Sequence, residues 1–115
     1  MAQPFTGTAT ISTAEYSLTT SSTTVGTQTT SGIFQLVLGL QNLAAGDVYR
    51  LRIREKVTST TAQIVVDVRL FTGLQATPGA IIASLILVNG WDLTLTKISG
   101  TDRSIDWSIR SVAVT

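Results

Sequence analysis

The sequence predicts an all-β domain: a small antiparallel β-sandwich or partly open barrel of about seven or eight strands, with an extended Thr/Ser-rich arm or loop. Three observations predict it. Thr and Ser supply 31 of the 115 residues, and Val, Ile and Leu supply most of the apolar remainder, a balance that suits pleated, half-buried strands better than helices. Several short segments alternate apolar and polar residues with a period of two. Polar, glycine-containing stretches separate those segments at turn spacing. Hydrophobic residues at 43% can build one core over residues 1–115, read as a single domain. A domain of this length buries only roughly two thirds of its unfolded surface, so partner subunits are expected to complete the burial.

Taken in order, residues 8–12 and 15–18 are short strand candidates. Residues 19–31, TTSSTTVGTQTTS, lack the large apolar side chains that offset chain entropy. An exposed loop or arm is therefore expected over 19–32, one that could still lie extended against a partner. In residues 33–40, Phe34, Leu36, Leu38 and Leu40 share one face. Residues 47–57 and 62–71 read as a hairpin around the four-residue loop 58–61. If Val57 pairs with Ala62, Tyr49, Leu51 and Ile53 face Leu70, Val68 and Val66, and Arg52 faces Asp67 on the other side. Asn89-Gly90 is a type I′ signal that would join strands 82–88 and 91–98, setting Val88 against Trp91 and Ile86 against Leu93. Thr77-Pro78-Gly79 could instead open a short helix over 80–88, but β-branched content favours the strand. The polar loop 99–103 then leads to a last strand, 104–114, in what reads as a further hairpin.

Composition excludes much chemistry. The chain has no Cys and no His, which removes disulfides, thiolate nucleophiles, cysteine-histidine zinc sites and imidazole-based triads. No enzyme is expected. A net charge of +1 lacks the basic excess with which nucleic-acid binders displace counterions. The N-terminus has no basic residue followed by an apolar run, so a cytoplasmically made protein is expected rather than a secreted one. The longest near-apolar run, residues 80–88, is far short of the roughly 18 residues of a membrane helix.

Candidate sites are few. Arg50, Arg52, Arg54 and Lys56 alternate along one strand face, about 6 to 7 Å apart. They could follow a phosphate backbone, but no aromatics are interspersed for stacking, and a paired or subunit-facing surface is the better reading. With Thr23, Thr24 and Thr27 of the loop they form the candidate partner-contact surface. Glu15 and Glu55 are the only glutamates, and nothing in the sequence fixes the separation a glycosidase needs. Glu55 falls on the apolar face of its strand, so a solvent edge or a basic partner is expected for it. Asp92, Asp102 and Asp106 have no calcium-loop spacing, and Asp102 reads as a turn residue; no metal or cofactor is expected. Trp91 and Trp107, on what read as neighbouring hairpin strands, would form a sugar-stacking platform if exposed, but alternation places them in the core. The glycines read as strand punctuation and form no phosphate-binding fingerprint.

Residues 90–98, GWDLTLTKI, and 100–110, GTDRSIDWSIR, resemble segments of small structural proteins of tailed bacteriophages. Residues 45–52, AGDVYRLR, followed by Glu55-Lys56-Val57, are similar to the same group. Together these segments cover about a third of the chain. The resemblance implies a capsid decoration, or cement, protein that binds the head exterior and braces neighbouring capsid subunits. The expected partners are the major capsid protein or other virion proteins. A homo-oligomer is expected, with a trimer favoured, located on the virion after synthesis in the bacterial host cytoplasm. Head-to-tail or tail components are close variants, and a β-sandwich carbohydrate- or receptor-binding module is the alternative of a different class.

Overall fold

The computed structural model describes residues 2–112, and within them the fold is all-β. Its strands are β1 (Ala2–Ile11), β2 (Tyr16–Ser17), β3 (Gly32–Gly39), β4 (Val48–Lys56), β5 (Gln63–Thr72), β6 (Gly79–Leu87), β7 (Asp92–Ser99) and β8 (Arg103–Val112). They form two four-stranded antiparallel sheets, ordered β1-β8-β3-β6 and β2-β7-β4-β5, consistent with a β-sandwich. The expected final strand, 104–114, runs two residues past the described chain.

Period-two alternation builds the core. Phe34, Leu36 and Leu38 of β3, Tyr49, Leu51 and Ile53 of β4, Leu93 and Leu95 of β7, and Ile105, Trp107 and Ile109 of β8 are all buried in one cluster. Fully burying one such aliphatic contributes about 1.5 to 3 kcal/mol. Residues 80–87 of the stretch 80–88, open to a helical reading, belong to a strand, in keeping with their Ile content. β1 is longer than its sequence signal because Phe5 and Gly7 do not alternate as large apolar residues do. Gly7 is not strand punctuation. It lies opposite Trp107 inside the β1–β8 ladder, where an added Cβ would stand 2.5 Å from the indole Cζ2.

The β4–β5 hairpin forms, with a corrected register. Next to the loop the pairs are those expected, Lys56 with Gln63, Glu55 with Ile64 and Arg54 with Val65. A bulge then leaves Val66 without an opposite residue and shifts the rest by one, so Arg52 meets Val68 and Ile53 meets Asp67. Arg52 and Asp67 are therefore not directly opposed. The shift is tolerated because β5 is a sheet edge, exposed over residues 64–70, where turning side chains to the other face costs little burial.

The two later hairpins do not form. β6 pairs with β3, β7 with β4 and β2, and β8 with β1 and β3, so the turn at 88–91 and the loop at 99–102 carry the chain from one sheet to the other. A type I′ turn needs two residues at positive φ. Gly90 has φ 47°, but Asn89 does not share that region, since Ser21 is the only non-glycine with positive φ among the described residues. The N–H groups of Val88 and Asn89 instead donate to Glu55 Oε2 (2.7 and 3.0 Å). At the second crossing, Gly100 (φ 92°) packs against Asp47.

Candidate interaction surface

The arginine row lies on the outer face of β4, and its partner is Glu15, which precedes β2. Arg54 Nε and Nη2 donate to the two Glu15 carboxylate oxygens at 2.8 Å each, a bidentate geometry that suits the guanidinium fork. Arg52 Nη1 donates to Glu15 Oε1 at 3.4 Å, and Thr94 Oγ1 of β7 also donates to this carboxylate. Burial opposes ionisation of Glu15, but hydrogen bonds from Arg54 and Thr94 and the charges of Arg54 and Arg52 outweigh it and lower its pKa. Two of the three arginines thus share one carboxylate within the chain. Arg50 makes no ion pair among the described residues. Its Nε and the Oγ1 of Thr96, its neighbour on β7, are buried without a hydrogen-bond partner.

Lys56 and Thr27 come together, whereas Thr23 and Thr24 lie earlier in the loop, exposed. Lys56 and Thr27 line an open depression of about 220 Å³ with Thr29, Ser59, Val88 and Gly90. The Thr/Ser segment is a docked loop. Buried Asp92 accepts Thr19 Oγ1 and the Gly26 N–H, both at 2.7 Å. Gln63 Nε2 donates to the Gly26 carbonyl (2.9 Å), and Gln28 and Trp91 exchange backbone hydrogen bonds. The two tryptophans hold its ends: Trp107 Nε1 donates to the Leu18 carbonyl (3.0 Å) and Trp91 Nε1 to the Thr30 carbonyl (2.8 Å). Both indoles are buried, at 4% and 0% exposure, which leaves no sugar-stacking platform from this pair. Trp91 lies in an aromatic group with Phe5 and Phe34, and Trp107 packs edge-on to Tyr16. They belong to different segments of the sandwich, Trp91 just before β7 and Trp107 on β8, not to one hairpin.

The carboxylates hold structure together. Glu55, for which a solvent edge or a basic partner was expected, is half-buried and takes backbone donors at the 88–91 turn. Asp106 accepts Thr8 Oγ1 and Gln41 Nε2. Asp102 pairs with Lys97, while the turn-binding role expected of it is performed by Asp47. Asp47 is buried, and its oxygens accept Thr101 N–H (2.9 Å), Ala44 N–H (2.9 Å) and Arg103 Nε (2.8 Å). These bonds hold its pKa down at about 2, the backbone donors of Thr101 and Ala44 first and Arg103 next. Beside it the Tyr49 hydroxyl donates to the Thr101 carbonyl (2.8 Å) and accepts the Arg103 N–H (2.7 Å). The sequence signal for Asp47 was its place after Gly46 at the start of a strand, where a carboxylate can cap free amides. Among the described residues no three Asp or Glu side chains gather as a metal site.

What the surface offers is apolar. Ile64, Val65, Val66, Val68 and Leu70 of β5 are exposed, Leu70 to 62%. On the other sheet Ile86 of β6 is 73% exposed, and it lies in a cross-strand row with the exposed Ile33 and Val112. Val68 and Leu70 sit beside Arg52 and Arg50. Comparison with protein-family models, with curated proteins and with solved structures finds no match in any of the three.

Proposed function

We propose that this chain is a structural protein of a tailed-phage particle, a capsid decoration or cement protein that binds the head exterior and braces capsid subunits through protein–protein contacts. One observation carries the contact role: the edge strands β5 and β6 and the outer row Ile33–Ile86–Val112 present large aliphatic side chains to solvent. Contiguous apolar surface on a small domain marks a place for a partner. Arg50, without a carboxylate partner among the described residues and flanked by Leu70, is the cation of the row best placed to meet an acidic group on the major capsid protein. The polar loop bearing Thr23, Thr24 and Thr27 adds an exposed, well-anchored contact surface. The role needs no catalytic group and no cofactor, and its site is the virion, reached after synthesis in the host cytoplasm. The phage assignment itself rests on the resemblance of residues 45–52, 55–57, 90–98 and 100–110.

Two readings from other classes have less support. Carbohydrate stacking would need an exposed aromatic platform, and both indoles are buried. Phosphate tracking would need free arginines, and Arg52 and Arg54 are held by Glu15. Mass spectrometry of purified phage particles, followed by immunogold labelling with antibody raised to the purified chain, tests the proposal. The chain is expected in the particle with label over the head. Label confined to the tail would reassign it to a tail or head-to-tail component, and absence from the particle would overturn the virion role.

A further inference from the structure

We infer that β5 is a self-pairing edge, at which a second copy of this chain adds its own β5 antiparallel across a twofold axis through Val68. β5 ends its sheet, hydrogen-bonded on one side to β4. Its residues 64–70 are all exposed, and five of those seven are large aliphatics. A bare apolar edge would pair with any strand, so what selects the occupant is charge. The strand has two charged residues, Asp67 and Arg69, opposite in sign and one position either side of Val68. In an antiparallel pair centred on Val68, Asp67 of each copy stands opposite Arg69 of the other. The same register sets Val66 against Leu70. Like charges directly opposite are unfavourable and unlike charges favourable, so this register is self-complementary.

The free strand already shows the contacts that would be exchanged. Asp67 Oδ1 accepts the Val68 N–H (2.9 Å), and Asp67 Oδ2 is 3.3 Å from Arg69 Nε. Both are local contacts on an exposed edge. On pairing, Asp67 passes to Arg69 of the second copy, and the ladder supplies main-chain partners along the strand. The bulge at Val66 and the two charges are the devices that deter unselective edge pairing, and a copy of the same strand is the partner that satisfies those charges. The other three edge strands, β1, β2 and β6, have no charged residue and so nothing to fix register or sign. An isologous contact of this kind closes at two subunits. It replaces the threefold expectation with a twofold one.

Light scattering coupled to size-exclusion chromatography, at rising loading concentration, tests the pairing on the full chain. The wild type is expected to reach two chain masses of 12.2 kDa. Asp67→Arg and Arg69→Asp each set like charges opposite one another at two symmetric positions, and each is expected to weaken the dimer by about tenfold or more. The double variant Asp67→Arg/Arg69→Asp restores opposite signs and is expected to restore the dimer. Far-UV circular dichroism and unfolding midpoints confirm that each variant is folded. A wild type that stays monomeric at every loading, a trimer, or single variants that dimerise as well as the wild type would overturn the inference. It deepens the contact role proposed above, and the two fail separately: a monomer overturns the pairing, absence from purified particles the virion role.

Discussion

Asp47 joins two segments that are distant in sequence, the 44–47 turn and residues 101–103 at the crossing into β8, through three hydrogen bonds to one carboxylate. Because its folded pKa of about 2 lies below the ordinary 3.8, the ionised form stabilises the fold. That contribution is complete above the ordinary value and is lost as pH falls from about 4 towards about 2. Urea midpoints measured across that window should fall steeply for the wild type. Asp47→Asn should be less stable at neutral pH and should change less across the window, and equal slopes would refute the assignment. Glu15, also lowered, adds to the slope of both proteins. Gly100 belongs to the same cluster, and at φ 92° an added Cβ would collide with the Asp47 backbone and carboxylate. Gly100→Ala should therefore cost about 2 kcal/mol or more, read as a drop in unfolding free energy.

The Thr/Ser segment shows an element ordered by its neighbours. Its own residues bury little, so the sequence left open whether it projects or lies flat, and the side chains that decide the matter, Asp92, Gln63 and the two tryptophans, come from distant parts of the chain. Asp92→Ala would leave the Thr19 hydroxyl and the Gly26 amide without their acceptor, at about 1–3 kcal/mol. Limited digestion with a broad-specificity protease should then cut within 19–31 in the variant and spare the wild type; equal resistance would show that the other anchors suffice. Strand identity, by contrast, was legible for β3, β4, β7 and β8, where large apolar residues recur with a period of two, although β7 buries its polar face as well. Pairing was legible only where a short loop fixes it, at residues 54–56 against 63–65. The bulge at Val66 left no sequence signal, because either register places aliphatics on an exposed edge. Asn89-Gly90 misled because Glu55, 33 residues earlier than Val88, claims the turn's amides.

At the scale of the molecule, β4–β5 is, among the described residues, the only ladder between strands consecutive in sequence; the others join remote segments, to the extreme of Ala2 with Ser111. Such non-local topology makes folding slow, and stopped-flow refolding should fall in the range of about milliseconds to seconds. Refolding in microseconds would contradict a fold assembled from these pairings. The candidate surface was half legible. Alternation placed the arginines on one outer face, but their partner Glu15 lies 37 residues before Arg52, beyond any local pattern. The exposed aliphatics of β5 read in the sequence as ordinary core, since only the sheet order shows that the strand is an edge.

The two indoles deserve a use of their own, since each grips one end of the loop from a different part of the sandwich. Replacing Trp107 by Phe would leave emission that follows release of the Thr30 carbonyl, and replacing Trp91 would leave emission that follows release of the Leu18 carbonyl. The protein thus contains two native optical gauges, one at each end of its most polar segment, that could time the docking of either end without an added label.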